Sequence, residues 1–160
     1  MRLLTTLVHL IAACEAHNHT SRIISAAKAD HIDLHSIPLL DVALTSIQGI
    51  YDLTNTTLPA GIAEGHIVDV HAHVVPPWYR TLVPSTGQSP TPAWSLETHL
   101  GFMAGAGIKH GVLSIGTPGS VVWPGSRVKS AALARLLNEY LAAVHCSTSR
   151  KGCKRRTDVV

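Results

Sequence analysis

Ile67-Val68-Asp69-Val70-His71-Ala72-His73-Val74-Val75-Pro76-Pro77-Trp78-Tyr79-Arg80 is the stretch on which the rest of the chain is read. An apolar run broken only by Asp69 leads into a His-x-His pair and then into a proline-marked loop. Residues i and i+2 of a strand share a face, so His71 and His73 aim two imidazoles at one place, where strand gives way to loop. Imidazole is a good ligand for zinc and its first-row neighbours. A catalytic zinc takes three protein ligands and keeps one position open, so the pair amounts to part of a metal site. The plainer reading, two exposed or hydrogen-bonded histidines at a strand end, is the one the residues alone favour.

Working outward, Ile67 to Val70 has the composition of a strand buried on both faces of a parallel sheet. Asp69 inside such a strand needs a partner, as a structural hydrogen-bond acceptor or as support for a metal ligand. Pro76, Pro77, Pro84, Pro90 and Pro92, with Gly87, predict an extended, non-helical loop over residues 74–94. Ser95 is placed to cap a helix running to about Ala106, with Leu96, Leu100 and Met103 at near-helical spacing and Gly107 ending it. Val112 to Ile115 reads as a second strand. Ser126 then caps a helix from Arg127 to Val144, striped by Leu133, Leu136, Leu137, Tyr140, Leu141 and Val144. Strand, helix, strand, helix means parallel βα units in an α/β fold. That pattern fits a barrel and an open doubly wound sheet equally. Residues 17–65 form a lead-in, in which Pro38 to Tyr51 reads as a short helix and Asn55 to Gly65 as a connector.

Several pieces of this chain, in order, resemble the opening of the amidohydrolase-related metal enzymes, specifically the decarboxylase-like branch. That branch includes aminocarboxymuconate semialdehyde decarboxylase and the fungal 6-methylsalicylic acid decarboxylases. The matching residues are Asp69-Val70-His71-Ala72-His73 and Pro76-Pro77-Trp78-Tyr79-Arg80, then Thr91-Pro92-Ala93-Trp94-Ser95 and Ala106-Gly107-Ile108. Val112-Leu113-Ser114, Thr117-Pro118-Gly119 and Leu137-Asn138-Glu139-Tyr140 follow. The resemblance implies that residues 66–144 are the opening part of a (β/α)8 TIM barrel. It also implies that His71 and His73 bind a divalent metal, usually zinc, joined by a histidine and an aspartate from later strands. His99, His110 and His145 do not substitute for those ligands on any spacing argument. The resemblance ends near Val144, where the family would continue into a third strand, so the barrel is expected to be truncated. Residues 145–160 read as a basic, non-homologous tail, such as a change of reading frame or splicing would produce, or as an ordinary solvated tail.

Composition agrees with part of a larger fold. The 160 residues suffice for one ordinary domain but fall short of the ~250 of a complete barrel. A hydrophobic content of 46% argues against disorder for most of the chain. The net charge of +3 is concentrated, because Arg150, Lys151, Lys154, Arg155 and Arg156 all lie in the tail; the near-neutral body gives no case for nucleic-acid binding. Residues 1–16 resemble a secretory signal: Arg2, an apolar core from Leu3 to Ala13, and small residues around Cys14-Glu15-Ala16. That core is too short to span a membrane, and no later segment is a candidate. A signal implies a secreted protein; the alternative is an ordinary N-terminal helix on a cytoplasmic one. Secretion would make Asn18-His19-Thr20 and Asn55-Thr56-Thr57 glycosylation acceptors, and cleavage after Ala16 would leave His17-Asn18-His19 as a square-planar copper or nickel motif. Three cysteines, Cys14, Cys146 and Cys153, make no disulfide framework.

Beyond the histidine pair, Trp78, Arg80 and Trp94 lie in or near the long loop, at the end of the strands where barrel enzymes build their pockets. Arg80 carries the planar fork that grips a carboxylate, and the two tryptophans would line the substrate; the plainer reading is a surface arginine beside packing aromatics. Ser114 and Thr117 end the second strand and would face the same space. The expected function is that of an incomplete metal-dependent family member, whose intact relatives act as carboxy-lyases or hydrolases on small aromatic or unsaturated carboxylic acids. With two matched ligands and no complete barrel, the chain as it stands is expected to be inactive. The competing expectation is a non-catalytic product or a small secreted protein that binds a metal or a partner. The oligomeric state is not legible.

Overall fold

Helices α1 (Asn18–Ala29) and α2 (Leu40–Asp52), separated by a 3-10 turn at Leu34–Ser36, precede strand β1 (Ile67–Val74). There follow helix α3 (Pro77–Leu82), the short hairpin β2 (Ser85–Thr86) and β3 (Ser89–Pro90), helix α4 (Leu96–Gly105), strand β4 (Ile108–Ile115) and helix α5 (Arg127–Thr148). This is a computed structural model, and it describes residues 18–53 and 67–148. The signal-like segment, the connector, most of the basic tail and the Asn55 glycosylation triplet lie outside those residues, as does His17 of the copper motif.

β1 and β4 pair in parallel, joined through α3 and α4, and α5 follows β4. The described residues thus form βα units around a two-stranded parallel sheet, not a closed barrel. Ser95 caps α4 as expected: its Oγ accepts the Thr98 N–H at 3.1 Å, satisfying a backbone donor that the first turn leaves open. Gly107 takes φ +68° just past the helix end, a left-handed conformation that glycine adopts without steric cost. Ser126 Oγ stands 3.4 Å from the Lys129 N–H at the start of α5.

Most of the core lies between helices rather than on the sheet. α5 buries Leu133, Leu136, Leu137, Tyr140, Ala143 and Val144 at three- and four-residue spacing, the stripe expected of one helical face. α2 packs on it with Ala43, Leu44 and Ile47, and α1 adds Ile23 and Ala27. Charged groups bind α1 to α5: Arg22 Nη2 meets Glu139 Oε2 at 2.8 Å, while Arg135 reaches Asp30 Oδ2 at 2.5 Å and Glu139 Oε1 at 3.3 Å. Among the described residues no helix is long and apolar enough to cross a membrane.

Four expectations are corrected. Residues 74–94 are not wholly extended, because Pro77 opens α3. Proline suits the first helical position, where its missing N–H has no helical partner to lose and its fixed φ is already helical. The lead-in contains a helix, α1, beyond the one expected over Pro38 to Tyr51, and it adds Ile23 and Ala27 to the core. Residues 145–148 continue α5, and Cys146 there is disulfide-bonded. Finally, β1 is not buried on both faces: Ile67, Val68 and Val70 are 54%, 50% and 73% exposed. Among the described residues β1 has one strand neighbour, β4, and the helices pack chiefly on one another. Only at its C-terminal end do Val74 and Val75 enter the core.

Candidate metal centre

The parallel pairing sets the depth of the site. Ala72, His73 and Val74 stand opposite Leu113, Ser114 and Ile115, so both strands end together. The register slips between Asp69 and Ala72, where β1 carries one more residue than β4, an irregularity of the kind that re-aims side chains near strand ends.

His71 and His73 project to the same place, as the His-x-His spacing predicts. Their Nε2 atoms lie 3.2 Å apart, and the rings meet edge to face with centroids 4.9 Å apart. Nitrogens bound at about 2.0–2.1 Å to a tetrahedral zinc stand roughly 3.3–3.4 Å apart, so this pair has the bite of a chelate. The same spacing suits an N–H···N hydrogen bond when one ring donates to the other. In donor type and bite the residues fit a divalent metal, of which they would supply two ligands. Among the described residues, no group of three or more His, Cys, Asp or Glu side chains comes together.

Each histidine is steadied from β1 or β4. His73 Nδ1 lies 3.1 Å from Ser114 Oγ, which leaves Nε2 as the outward nitrogen. An imidazole that ligates a metal is usually held at its other nitrogen in this way. Gly116, just after β4, approaches the ring: a Cβ there would stand 3.6 Å from His73 Cγ. Asp69 is half-buried, and its Oδ1 accepts the His71 backbone N–H at 3.0 Å, in keeping with the structural reading of that carboxylate. The sequence set Ser114 near the pocket; its bond to His73 follows from strand register, which spacing within one segment does not disclose.

The remaining site residues are placed as follows. Trp78 is 2% exposed, packed in the core edge-on to Tyr79. Arg80 is exposed, and its Nε donates to the Thr91 carbonyl at 2.9 Å, bracing the loop. Trp94 is half-buried beside His99 and Tyr140, at centroid distances of 5.8 and 6.3 Å. The indole nitrogens of both tryptophans are buried without a protein partner among the described residues. Thr117 precedes the turn in which Gly119 accepts the Tyr79 hydroxyl at 2.9 Å. Burial pushes the Tyr79 phenol up, partly offset by that hydrogen bond, and pushes Tyr140 up to about 12. Burial holds His99 below the ordinary histidine value, against the opposing pull of the Asp69 carboxylate. His19, of the terminal copper motif, stacks on Tyr51 with ring centroids 3.9 Å apart.

Comparison with known proteins gives a partial likeness to fungal decarboxylases. The decarboxylase macB of Penicillium terrestre is 37% identical over 82 residues, covering 49% of this chain and 24% of the relative. The decarboxylase yanB of Aspergillus niger is 35% identical over 82 residues, covering 49% of this chain and 22% of the relative. The chain thus spans less than a quarter of the length of these relatives. No protein-family model matches it, and no solved structure gives a significant match.

Proposed function

We propose that this chain carries the metal-binding opening of a decarboxylase-related (β/α)8 fold, and that His71 and His73 ligate a divalent cation, most suitably zinc. The observation that carries this reading is the convergence of two Nε2 atoms, 3.2 Å apart, at the C-terminal end of a parallel strand. Barrel enzymes assemble their active sites at that end. The partial likeness to decarboxylases supports the reaction class. The activity of the whole fold would be loss of carboxylate from a small aromatic or unsaturated acid, with hydrolysis as the related alternative.

When bound, the cation supplies Lewis acidity toward a substrate oxygen or toward water. His71 and His73 bind it through Nε2, and Ser114 holds the His73 ring in orientation. Arg80 keeps its terminal guanidinium nitrogens available for a carboxylate, since its Nε alone is taken up by Thr91. Trp94, half-buried, would offer aromatic surface beside the loop, whereas Trp78, 2% exposed, is packed in the core and would support α3 without touching a substrate. Export from the cell belongs to the same reading and rests on residues 1–16. An exported protein beginning near His17 would support it, and one retaining Met1 would remove it.

A second reading, a non-catalytic metal- or partner-binding product, is favoured by the absence of a third donor beside the pair among the described residues. Calorimetric zinc titration of the tag-free chain, with and without His71→Ala plus His73→Ala, tests the ligand assignment. Release of carbon dioxide from small aromatic acids then separates the readings. Metal-dependent turnover favours the enzyme; zinc binding without turnover favours the second reading. Zinc uptake unchanged by the double substitution would remove both histidines as ligands.

A further inference from the structure

We propose that Asp69 is a positioning residue for the histidine pair: by holding a bulge in β1 it sets which residue of β4 stands beside His73. This rests on the metal-ligating reading of His71 and His73 and adds the side chain that arranges them.

The strand register leads there. Asp69 stands opposite Gly111 and Ala72 opposite Leu113, so Val70 and His71 together face the single residue Val112. Two residues against one make a β-bulge, which bends a strand and re-aims its side chains. Were the pairing of Asp69 with Gly111 carried on without it, His73 would stand opposite Ile115, and Ser114 opposite Ala72. With the bulge, His73 meets Ser114, and its Nδ1 lies 3.1 Å from the serine Oγ.

Burial records the same step independently of the pairing. The less exposed positions of β1 are Asp69, Ala72 and Val74, three apart and then two. A regular strand alternates by two throughout, and residues five apart lie on opposite faces. Here Asp69 and Val74 share the inner side, while His71 and His73 are both exposed.

Asp69 is the side chain that meets this bulge. Its Oδ1 accepts the His71 N–H at 3.0 Å, the contact two residues on that aspartate and asparagine make with their own backbone. A bulge interrupts the ladder, and an amide displaced from it needs another acceptor. The carboxylate supplies one at the residue that carries the first imidazole. One contact thereby acts on both ligands: on His71 through its own backbone, and on His73 through the register that brings Ser114 to it.

The test measures zinc affinity of the tag-free full chain by competition with a chromophoric chelator. Cross-strand nuclear Overhauser contacts of the zinc-free protein are recorded beside it. Asp69→Asn keeps an oxygen acceptor in place and removes the charge, whereas Asp69→Glu keeps the charge and moves the acceptor outward. Asp69→Asn should bind zinc nearly as tightly as the unaltered chain and keep the contact between His73 and Ser114. Asp69→Glu should lose that contact and bind about tenfold or more weakly, the range for losing support of a metal-bound imidazole. Asp69→Ala, which removes the acceptor without adding length, should behave as Asp69→Glu does, so one folded member of the two suffices. Equal losses in Asp69→Asn and Asp69→Glu would overturn the proposal in favour of a charge effect. Unchanged affinity in Asp69→Glu and Asp69→Ala, or a His73–Ser114 contact that persists in them, would overturn it with the ligand assignment standing. Zinc uptake that survives His71→Ala plus His73→Ala would instead remove the ligand assignment, and the zinc-free contacts would still decide whether Asp69 holds the register.

Discussion

His73 and Ser114 are register partners across the parallel pairing of β1 and β4, and their side chains meet there, Nδ1 to Oγ, at 3.1 Å. One strand carries the imidazole and the other sets its rotation. The serine lies forty-one positions along the chain, so only the fold brings it to the histidine.

Ser114→Ala should therefore weaken zinc binding by about tenfold or more, the range typical of losing a partner that orients a metal-bound imidazole. The fold should be little affected, since Ser114 is exposed. Competition titration against a chromophoric chelator measures the first effect and thermal melting the second. Unchanged affinity would mean that the hydroxyl does not orient the ring.

Leu136→Ala, at the centre of the α5 face, should destabilise the chain by about 2–5 kcal/mol, combining lost transfer energy with a cavity the helices cannot close. Leu136 is fully buried, as is Ile47 of α2. Val70→Thr, on the exposed strand, should change stability by about 0.5 kcal/mol or less. Urea unfolding of the two variants would show whether the stability resides between the helices.

The charged network gives a graded expectation. Glu139 is 8% exposed and accepts from both Arg22 and Arg135, so Glu139→Ala should cost about 1–3 kcal/mol by leaving charged donors without their acceptor. Asp30→Ala removes a partner whose side chain is 55% exposed, and the loss should stay below about 1 kcal/mol. Equal losses would show that burial does not separate the two contacts.

Two titrations carry opposite signs. His99 is held below its ordinary value by burial, so its neutral form belongs to the folded state. Stability from this group is complete above the unfolded value near 6.5 and falls as pH drops through that value to the lower folded one. Tyr140 is raised to about 12 by burial, so its contribution is complete below about 10 and is lost as pH rises toward 12. Nuclear magnetic resonance should place the His99 midpoint below that of an exposed histidine, and Asp69→Asn should lower it further by removing the opposing charge. Tyr140→Phe should flatten the alkaline loss of stability.

Local signals were legible wherever a residue type acts alone on the backbone. Ser95, Ser126 and Gly107 mark helix ends whose geometry is set within a few residues, and the α5 stripe needs only its own spacing. His71 and His73 share a face because strands alternate, whatever surrounds them. What could not be read depends on neighbours. An apolar run from Ile67 to Val70 looks the same whether two strands or eight stand beside it, so its exposure was hidden. Pro76-Pro77 favours both an extended loop and a helix start, and the burial of Trp78 and Tyr79 decides for the helix. α1 places few large apolar residues on its inner face, and Ile23 is recognisable as core only against α2 and α5.

The separation of the helical core from the strand end has a consequence for variation. Val74 anchors β1 in the core, whereas His71 and His73 are exposed at its end. Donor atoms at that tip can therefore be exchanged, carboxylate for imidazole or one metal preference for another, with the scaffold indifferent to the choice. Changes to the inner face of α5 have no such freedom. Mutational tolerance should divide the molecule along this line, permissive at the tip of β1 and strict along the buried face of α5.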